Sequence, residues 1–444
     1  MKSDRFGENI AYSYNDQFFL NHLSDRVQKN GFTDYSPQGI TSYLTFRHPI
    51  GRFSMFSDYM KCPFGNETGD NDEKTVWYPK FGGCKDTLEG AIEKTDILFR
   101  ESLKKLIQGR KKIAATISGG VDSSLIVAML RHMHPDMDIH TYCAGFYGDD
   151  EFEYARMIAK EKNTIHKEKI LGMDDFIGEK SLLSDLIKYK ASPLHPNELP
   201  LAEVEKLAKE DGCDIVLCGE GSDDIFGGYG QNFRMYLNYD HRIPFFKYFL
   251  YNYRYFSLQD REMINPRYLV DDFHMLMDAM NGSELDTDIR NWVFYFTQKI
   301  HTPGLITRGA NAMRYNGFPL GFPYIDEALV DYVNGLPFEY KVAWKSEESK
   351  HASRGIHFRT ISEKYDTPKF ILKKWAEKYC PLDIIYRPKK GFPVPFEKWY
   401  HDLNEWDFDS EVFISRDIRR YSGWKKFMLI NLDSFIKMFN QFKK

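Results

Sequence analysis

Residues 111–130 combine hydroxyl groups, glycines and a carboxylate at a spacing suited to holding a phosphate chain. They read KKIAATISGGVDSSLIVAML: an apolar run of strand length, then Gly119 and Gly120, then apolar residues that recur at helical spacing. The glycines let backbone N–H groups turn inward, and the hydroxyls of Ser118 and Ser123 add further donors. The positive end of the helix dipole would face the same point. The pattern predicts a phosphate-binding turn between a strand and a helix.

Asp122 adds a carboxylate to this phosphate-binding turn. A carboxylate beside a phosphate chain is a ligand for Mg²⁺, which neutralises the charge on a departing pyrophosphate. The turn is not a Walker loop, because the spacing G-x-x-x-x-G-K-[ST] is absent. The alternative is that the glycine pair only joins a strand to a helix, but seven residues in a fitting order favour phosphate binding.

A second acidic, glycine-rich segment, residues 219–229, reads GEGSDDIFGGY and follows the apolar run 213–218. Acidic groups among four glycines at a strand end suit a turn that approaches phosphate and magnesium closely. Asp223 and Asp224 could instead be the N-cap and the first-turn acid of a helix.

Apolar strands that alternate with helices predict an α/β fold with a parallel sheet flanked by helices. Ligands of such sheets bind at the carboxyl ends of the strands. A helix capped by Asp86 and Glu89 is expected to lead into the first strand. Beyond Gly230 the sequence is aromatic-rich and helical, with no clear strand, and it ends in a helix at 424–439. The pattern predicts strands at 113–117, 138–144, 165–170 and 213–218, and helices at 151–162 and 199–211.

Composition limits the class of protein. The 444 residues carry 60 basic and 64 acidic side chains, a net charge of −4, so the chain has no overall nucleic-acid footprint. Aromatic residues make up 16%, which indicates an aromatic-rich interior. No membrane-spanning run, signal peptide or transit peptide is recognisable, so a cytoplasmic protein is expected. The six cysteines include no C-x-x-C pair, which speaks against zinc and iron–sulfur sites.

Four ordered motifs carry a family resemblance. The order Ser-Gly-Gly-Val-Asp-Ser-Ser resembles the pyrophosphate loop of the ATP pyrophosphatase (PP-loop) superfamily, which includes asparagine, GMP and NAD synthetases. Residues 219–229 resemble the segment G-E-G-[AS]-D-E-x-F-G-G-Y of asparagine synthetases. Residues 322–326 resemble that family's P-F-L-D signature, and residues 386–395 resemble its R-x-K-x-G-F-x-x-P loop. The resemblance to the asparagine synthetase family covers roughly residues 39–444.

This resemblance implies an adenine nucleotide alpha hydrolase-like fold with a helical C-terminal part, and a need for ATP and Mg²⁺. It divides the chain into 1–95, a truncated remnant of the amidotransferase–synthetase junction; 96–230, the ATP pyrophosphatase core; and 231–444, a helical part that completes the synthetase domain. Because Lys2 stands where those enzymes carry a catalytic cysteine, no glutaminase activity is expected.

The resemblance also assigns roles to residues. Asp122 and Asp223 would hold Mg²⁺, Lys389 would offset charge on the α-phosphate, and Glu220 would accept a proton from the attacking amine. Lys389 could instead be a solvated lysine of the basic run 387–390, a role that suits Lys390 better. The nucleotide contacts are assigned to Ser118, Gly119, Gly120, Asp122, Ser123, Ala144, Gly219 and Asp223.

Two departures from the family pattern concern the acid substrate. Pro319 and Gly321 occupy the Glu and Arg places of N-S-x-E-x-R-x-P-F-L-D, and residues 190–193 (KASP) replace an acidic D-E-P stretch. Aspartate as the substrate is therefore in doubt, whereas the nucleotide-binding motifs are intact. His195 is expected to be a loop residue, because no catalytic partner can be assigned to it.

The leading hypothesis is an ATP-dependent, AMP-forming amide ligase that adenylates a carboxylate on a small molecule or peptide. Ammonia or an amine would then be transferred to it, with a separate amidotransferase as one source of ammonia. No nucleic-acid or membrane partner is expected. One alternative is a PP-loop enzyme that modifies tRNA or nucleobases, against which the charge balance speaks. The other is a non-catalytic regulator derived from an asparagine synthetase, against which the intact Asp122, Asp223, Glu220 and Lys389 speak.

Overall fold

A five-stranded parallel sheet flanked by helices lies at the centre of the fold. The computed structural model describes residues 4–68, 73–75, 77–148, 151–178, 180–280, 288–388, 391 and 394–444. Within these residues the strands are β1 (Ala11–Tyr14), β2 (Gln17–Leu20), β3 (Met60–Lys61), β4 (Asn66–Thr68), β5 (Glu73–Thr75), β6 (Lys112–Thr116), β7 (Asp138–Phe146), β8 (Ile165–Leu171), β9 (Ile215–Leu217), β10 (Leu320–Gly321), β11 (Val342–Trp344) and β12 (Asp366–Pro368).

Helices make up most of the remaining secondary structure of the described residues. They are α1 (Leu23–Asn30), α2 (Pro37–Phe46), α3 (Leu88–Ile107), α4 (Val121–Met133), α5 (Glu151–Glu161), α6 (Leu182–Lys190), α7 (Glu198–Glu210), α8 (Ser222–Phe226), α9 (Gly230–Phe233), α10 (Phe245–Tyr253), α11 (Leu258–Ile264), α12 (Asp272–Ala279), α13 (Ile289–Phe296), α14 (Thr302–Asn316), α15 (Glu327–Gly335), α16 (Phe338–Lys341), α17 (Glu347–Ala352), α18 (Phe370–Ala376), α19 (Leu382–Ile385), α20 (Phe396–Trp399) and α21 (Gly423–Phe439).

The central sheet has the strand order β10–β9–β6–β7–β8, and every neighbouring pair is parallel. Ala114 of β6 lies opposite Val216 of β9 and His140 of β7. Ile113 and Ala114 are fully buried, because the apolar strands at the centre of the sheet pack against α3, α4 and α7 in one hydrophobic core. The predicted α/β fold with a parallel sheet is confirmed, and the four predicted strands are β6 to β9, with ends shifted by at most two residues.

The expectation of no strand beyond Gly230 is wrong, because β10 forms the fifth strand of the sheet and β11 pairs with β12. Strand β10 contains two residues, too few to produce a periodic pattern. Its Gly321 is packed so tightly that an added Cβ would lie 3.0 Å from Leu217 and 3.1 Å from Leu106. The position where the family pattern has an arginine therefore serves the core of the sheet in this chain.

Helix α3 begins one residue later than predicted. Its N-cap is Thr87, whose Oγ1 accepts a hydrogen bond from the Gly90 N–H at 3.2 Å, so the cap is not Asp86. The predicted boundary between residues 95 and 96 falls inside this helix, and the division into 1–95, 96–230 and 231–444 stays a prediction.

The N-terminal segment packs on the C-terminal helix. Strands β2, β1 and β3 form an antiparallel sheet, and the ring of Phe56 lies 5.5 Å from Phe435 and 5.4 Å from Phe439 of α21. Both ends of the chain thus share one aromatic core, which agrees with the aromatic-rich interior expected from composition.

A π-helical turn at Thr297–His301 joins α13 to α14 into one continuous helical element. Such turns insert one extra residue into a helix and are common at functional sites. None of the helices in the described part of the chain is both long and apolar enough to cross a membrane.

Lys341 is a lysine that is buried in the interior of the fold, where its charge is expected to reduce stability. The side chain is fully buried, its Nζ has no hydrogen-bond partner among the described residues, and the amine lies 4.1 Å from the ring of Phe294. Burial lowers the pKa of Lys341 to about 7. Between this pH and ~10 the unfolded chain binds a proton at Lys341 that the folded chain does not, so the stability cost of burying this lysine is full below pH ~7 and falls as the pH rises towards ~10.

We expect Lys341→Met to raise the free energy of unfolding at pH 7 by a few kcal/mol, on the order of what such a pKa shift represents. The gain should shrink as the pH approaches ~10, the ordinary range of lysine titration. Denaturant unfolding at several pH values measures it, with Lys94→Met, an exposed lysine of α3, as the control. An equal gain at every pH would contradict the buried-charge argument.

Candidate active site

A cavity of about 660 Å³ opens at the carboxyl ends of β6, β7 and β9. This is the edge at which the sequence predicted ligand binding. Seven predicted site residues line it: Ser118, Asp122, Ser123, Ala144, Gly219, Glu220 and Asp223. The roles assigned to them stay predictions, but their convergence on one cavity is a property of the fold.

The glycine turn is formed as the sequence predicted, with β6 before it and α4 after it. Gly119 has a φ of 65°, and a Cβ there would lie 2.2 Å from Cβ of Tyr154, so this residue packs against α5 and does not line the cavity. Gly120 is the N-cap of α4 and lines a small second cavity of about 80 Å³. The Ser118 N–H donates to Oγ of Ser123 at 3.2 Å, which closes the turn.

The two predicted metal ligands share one cation. Nζ of Lys369 lies 2.5 Å from Oδ2 of Asp122 and 2.6 Å from Oδ1 of Asp223. Lys369 is 4% exposed. Burial opposes its charge, but the two carboxylates outweigh burial and raise the pKa of Lys369 above its ordinary value. The ammonium is therefore charged and holds α4, α8 and the start of α18 together.

This contact requires a close approach of the backbone. A Cβ on Gly228 would lie 1.7 Å from Oδ1 of Asp223 and 2.3 Å from Cε of Lys369. Gly228 is thus needed for the ion cluster, whatever ligand the cavity binds.

Asp122 is oriented from two further sides. The Ser222 hydroxyl donates to its Oδ1 at 2.6 Å, and the Tyr324 hydroxyl donates to its backbone oxygen at 2.9 Å. Tyr324 belongs to the segment that resembles P-F-L-D, and Asp326 of that segment caps α15 through the Ala328 N–H at 3.1 Å. The segment therefore helps to position Asp122. Its charged residue, Asp326, caps α15 and does not line the cavity.

Sequence reasoning missed Lys369 and the position of Arg387. Lys369 lies alone between β12 and α18 with a φ of 56°, and no motif marks it. Arg387 donates to the Ser118 carbonyl at 3.1 Å and to Oε1 of Glu151 at 2.8 Å, so it ties the chain directly after α19 to the glycine turn. The only sequence signal for Arg387 was its place in the basic run 387–390. Lys389 and Lys390 lie outside the described residues.

The N-cap alternative for Asp223 is wrong, because Gly221 is the N-cap of α8 and both aspartates lie in its first turn. Asp224 is fully buried, and its Oδ1 lies 3.1 Å from Nδ1 of His301, at the end of the π-helical turn.

Within the described residues, no group of three or more His, Cys, Asp or Glu side chains is arranged to hold a metal ion.

A cluster of basic side chains lines another part of the cavity: Arg47, His195, His301 and Arg308. Nη1 of Arg47 lies 3.1 Å from Nε2 of His195, and Nη1 of Arg308 lies 2.9 Å from Nδ1 of the same ring. Burial, followed by Arg308 and Arg47, lowers the pKa of His195 well below its ordinary value, so the ring is neutral. His195 lies in the loop before α7, as expected, but it is a buried cavity residue.

Lys190 is the first residue of the KASP stretch, which departs from the family pattern. Its charge is neutralised by a nearby carboxylate. Its Nζ lies 2.6 Å from Oε1 of Glu198, which is fully buried and also accepts from the His195 N–H at 2.9 Å. Asn311 of α14 donates to the second carboxylate oxygen at 2.9 Å. Within the described residues, the hydrogen bonds and the ion pair of the Glu198 carboxylate thus go to these three groups.

Comparison with known proteins agrees with this architecture. The family model described as asparagine synthase matches residues 94–415. The chain is 24% identical to the glutamine-hydrolyzing asparagine synthetase 1 of Bacillus subtilis, over 93% of this chain and 69% of that protein. It is 23% identical to the glutamine-hydrolyzing asparagine synthetase 3 of the same organism, over 72% of this chain and 51% of that protein. The chain thus spans between half and about two thirds of the length of these curated relatives.

Among solved structures, the U34-tRNA thiolase NcsA from Methanococcus maripaludis with its 4Fe-4S cluster is similar at a TM-score of 0.28 and 15% sequence identity. The similarity covers 58% of this chain and 67% of that chain. Because the asparagine synthase model matches well over half of its residues, the chain belongs to the asparagine synthase family.

Proposed function

We propose that the chain is an ATP-dependent, AMP-forming amide ligase that activates a carboxylate and transfers ammonia or an amine to it. The observation that carries the proposal is the ion cluster of Asp122, Asp223 and Lys369 beside the glycine turn. Two carboxylates that already share a cation at the ends of two adjacent strands suit the binding of a metal–phosphate complex.

The residues of the cluster fit Mg²⁺ in type and position. Asp122 and Asp223 offer hard oxygen ligands and retain one negative charge after pairing with Lys369. When bound, the ion would neutralise phosphate charge as pyrophosphate departs. The N–H groups of the turn, the hydroxyls of Ser118 and Ser123, and the ammonium of Lys369 would hold the phosphates themselves.

Activation of the acid is needed because a carboxylate has no good leaving group at neutral pH. Attack of the carboxylate on the α-phosphorus of ATP forms the acyl adenylate and releases pyrophosphate, and attack of the amine on the acyl carbon then releases AMP. Glu220 lies at the end of β9 and lines the cavity, where it would accept the proton that the amine loses. Lys389 keeps its proposed role in offsetting charge on the α-phosphate.

The proposal is tested by a pyrophosphate-release screen across carboxylic acids, with ATP, Mg²⁺ and either ammonium or simple amines. We expect AMP and pyrophosphate as products with the correct acid. ADP and phosphate as the only products would refute the proposed chemistry.

With an active acid in hand, Asp122→Asn and Asp223→Asn should each reduce exchange of labelled pyrophosphate into ATP by about a thousandfold or more. Asp136→Asn, an exposed aspartate that follows α4, is the matched control and should leave exchange unchanged. Circular dichroism would check that each variant is folded. Near wild-type exchange in either cavity variant would remove that residue from the proposed metal site.

Lys369→Met tests the ion cluster without requiring turnover. The substitution leaves two carboxylates facing each other and should lower stability by roughly 3–5 kcal/mol. Added Mg²⁺ should then raise the melting temperature of Lys369→Met more than that of the wild type, since the metal ion can replace the lost ammonium. Lys374→Met, further along α18 and paired with Glu377, is the control and should respond to Mg²⁺ as the wild type does. An equal response in all three proteins would contradict a metal site here.

The nitrogen donor can be tested as well. A glutaminase nucleophile needs an accessible thiolate, whereas five of the six cysteines are buried, and burial raises the pKa of Cys218 and of Cys380 to about 12. We expect ammonium to support amide formation, with a rate that rises from pH 7 to 8.5 as more of it becomes NH₃. Glutamine free of ammonium should support none, unless an amidotransferase is added. Comparable turnover with glutamine alone would overturn this expectation.

A further inference from the structure

Two arginines at one end of the cavity form no ion pair with a carboxylate of the described residues. Arg47 follows α2, and Arg308 lies in the middle of α14 and is 6% exposed. Neither guanidinium lies within 4.0 Å of an Asp or Glu carboxylate in the described part of the chain. Burying a charge without a partner is costly, so such a pair needs a physical reason.

The hydrogen-bond partners of the two guanidinium groups carry no negative charge: Nε of Arg308 donates to the Gly304 carbonyl at 3.1 Å, and both groups approach the ring of His195. A neutral imidazole has one acceptor nitrogen and one N–H, whereas guanidinium groups only donate. Nδ1 of His195 accepts from the Asn197 N–H at 3.2 Å and from Arg308 at 2.9 Å, so Nε2 carries the hydrogen. Nη1 of Arg47, 3.1 Å from Nε2, therefore faces another donor.

The nearby carboxylates do not relieve this conflict. Glu198 contacts Lys190, Asn311 and a backbone N–H, and Asp224 contacts His301. His301 in turn accepts from Nη2 of Arg47 at 3.3 Å through Nε2. Burial lowers the pKa of Arg308, and Glu220, which lines the same cavity, only partly offsets this effect and forms no ion pair with either arginine. The cluster thus has more donors and positive charge than its own residues can match, and it faces the cavity that the proposed acid would enter.

We propose, on the basis of the ligase function above, that the acid substrate carries a second anionic group, a carboxylate or a phosphate, and that Arg47 and Arg308 bind this group. Planar guanidinium groups recognise both kinds of oxyanion. An α-ammonium group near that end of the substrate would be repelled by the same two charges. The substrate class is therefore a small dianionic acid without an adjacent ammonium group, which separates it from aspartate.

Matched acids and variants test this inference. Dicarboxylates of three to six carbons and 3-phosphonopropionate would be compared with the corresponding monoamides, and with aspartate and glutamate, in the AMP-release assay. We expect the dianionic acids to exceed the monoamides in kcat/KM by about tenfold or more. Arg47→Gln and Arg308→Gln should lower kcat/KM for the dianions by about 10- to 100-fold and hardly change it for the monoamides. Arg314→Gln, on the same helix but outside this cavity, is the control.

A binding measurement decides the inference independently of turnover. Calorimetry with glutarate and with 3-phosphonopropionate, without nucleotide, should give binding to the wild type and to Arg314→Gln but not to Arg308→Gln. ATP affinity, measured separately, should be equal in all of them. Thermal unfolding of Arg308→Gln and Arg308→Lys would check that the fold is retained, and Arg308→Lys should restore part of the binding.

The outcomes separate the two proposals. Equal dianion binding by Arg308→Gln, or monoamides that perform as well as diacids, would overturn the inference while leaving the ligase function in place. Loss of ATP affinity in the arginine variants would also overturn it, since the cluster would then be a nucleotide site. Arginine-dependent binding of dianions without AMP release from any acid would support the anion site and refute the ligase function.

Discussion

The buried ammonium of Lys369 between Asp122 and Asp223 is the contact on which the geometry of the site depends. A buried charge of this kind is stable only if its partners are held in place, because desolvation costs nearly as much as the pairing returns. The chain meets this requirement with Ser222 and Tyr324, which orient Asp122. Gly228 lets the backbone approach. Residues separated by almost 250 positions are thereby fixed at one sheet edge.

The high aromatic content of the chain also helps it to accommodate charged groups in its interior. Several buried or half-buried cations lie over the faces of aromatic rings, which stabilise positive charge. The guanidinium of Arg47 lies 4.5 Å from the ring of Tyr255, and that of Arg234 lies 3.8 Å from the ring of Trp344 and donates to Asp366 at 2.7 Å. Rings in the C-terminal half of the chain thus help to offset the cost of placing these positive charges in the interior.

The sequence predicted the parts of the fold that are local. Strands β6 to β9, the glycine turn and the helix after it follow from periodicity and from residues adjacent in the chain. Strand β10 could not be predicted, because two residues carry no period and their strand character comes only from pairing with Val216 and Leu217. Lys369 was missed for a similar reason: its role depends on two aspartates far away in the chain. His195 was correctly placed in a loop, but its burial between two arginines depends on α2 and α14.

The π-helical turn at Thr297–His301 determines the direction in which the side chains of α14 point. An α-helix turns by about 100° per residue, and the hydrogen bonds of a π-helical turn span one residue more, so this turn takes up an extra residue without rotating the rest of the helix by that angle. Arg308 and Asn311 of α14 thereby keep the orientation in which they contact His195 and Glu198. The same residues wound as a regular α-helix would turn both side chains away from the cavity, which makes the π-helical turn as much a part of the site as the side chains.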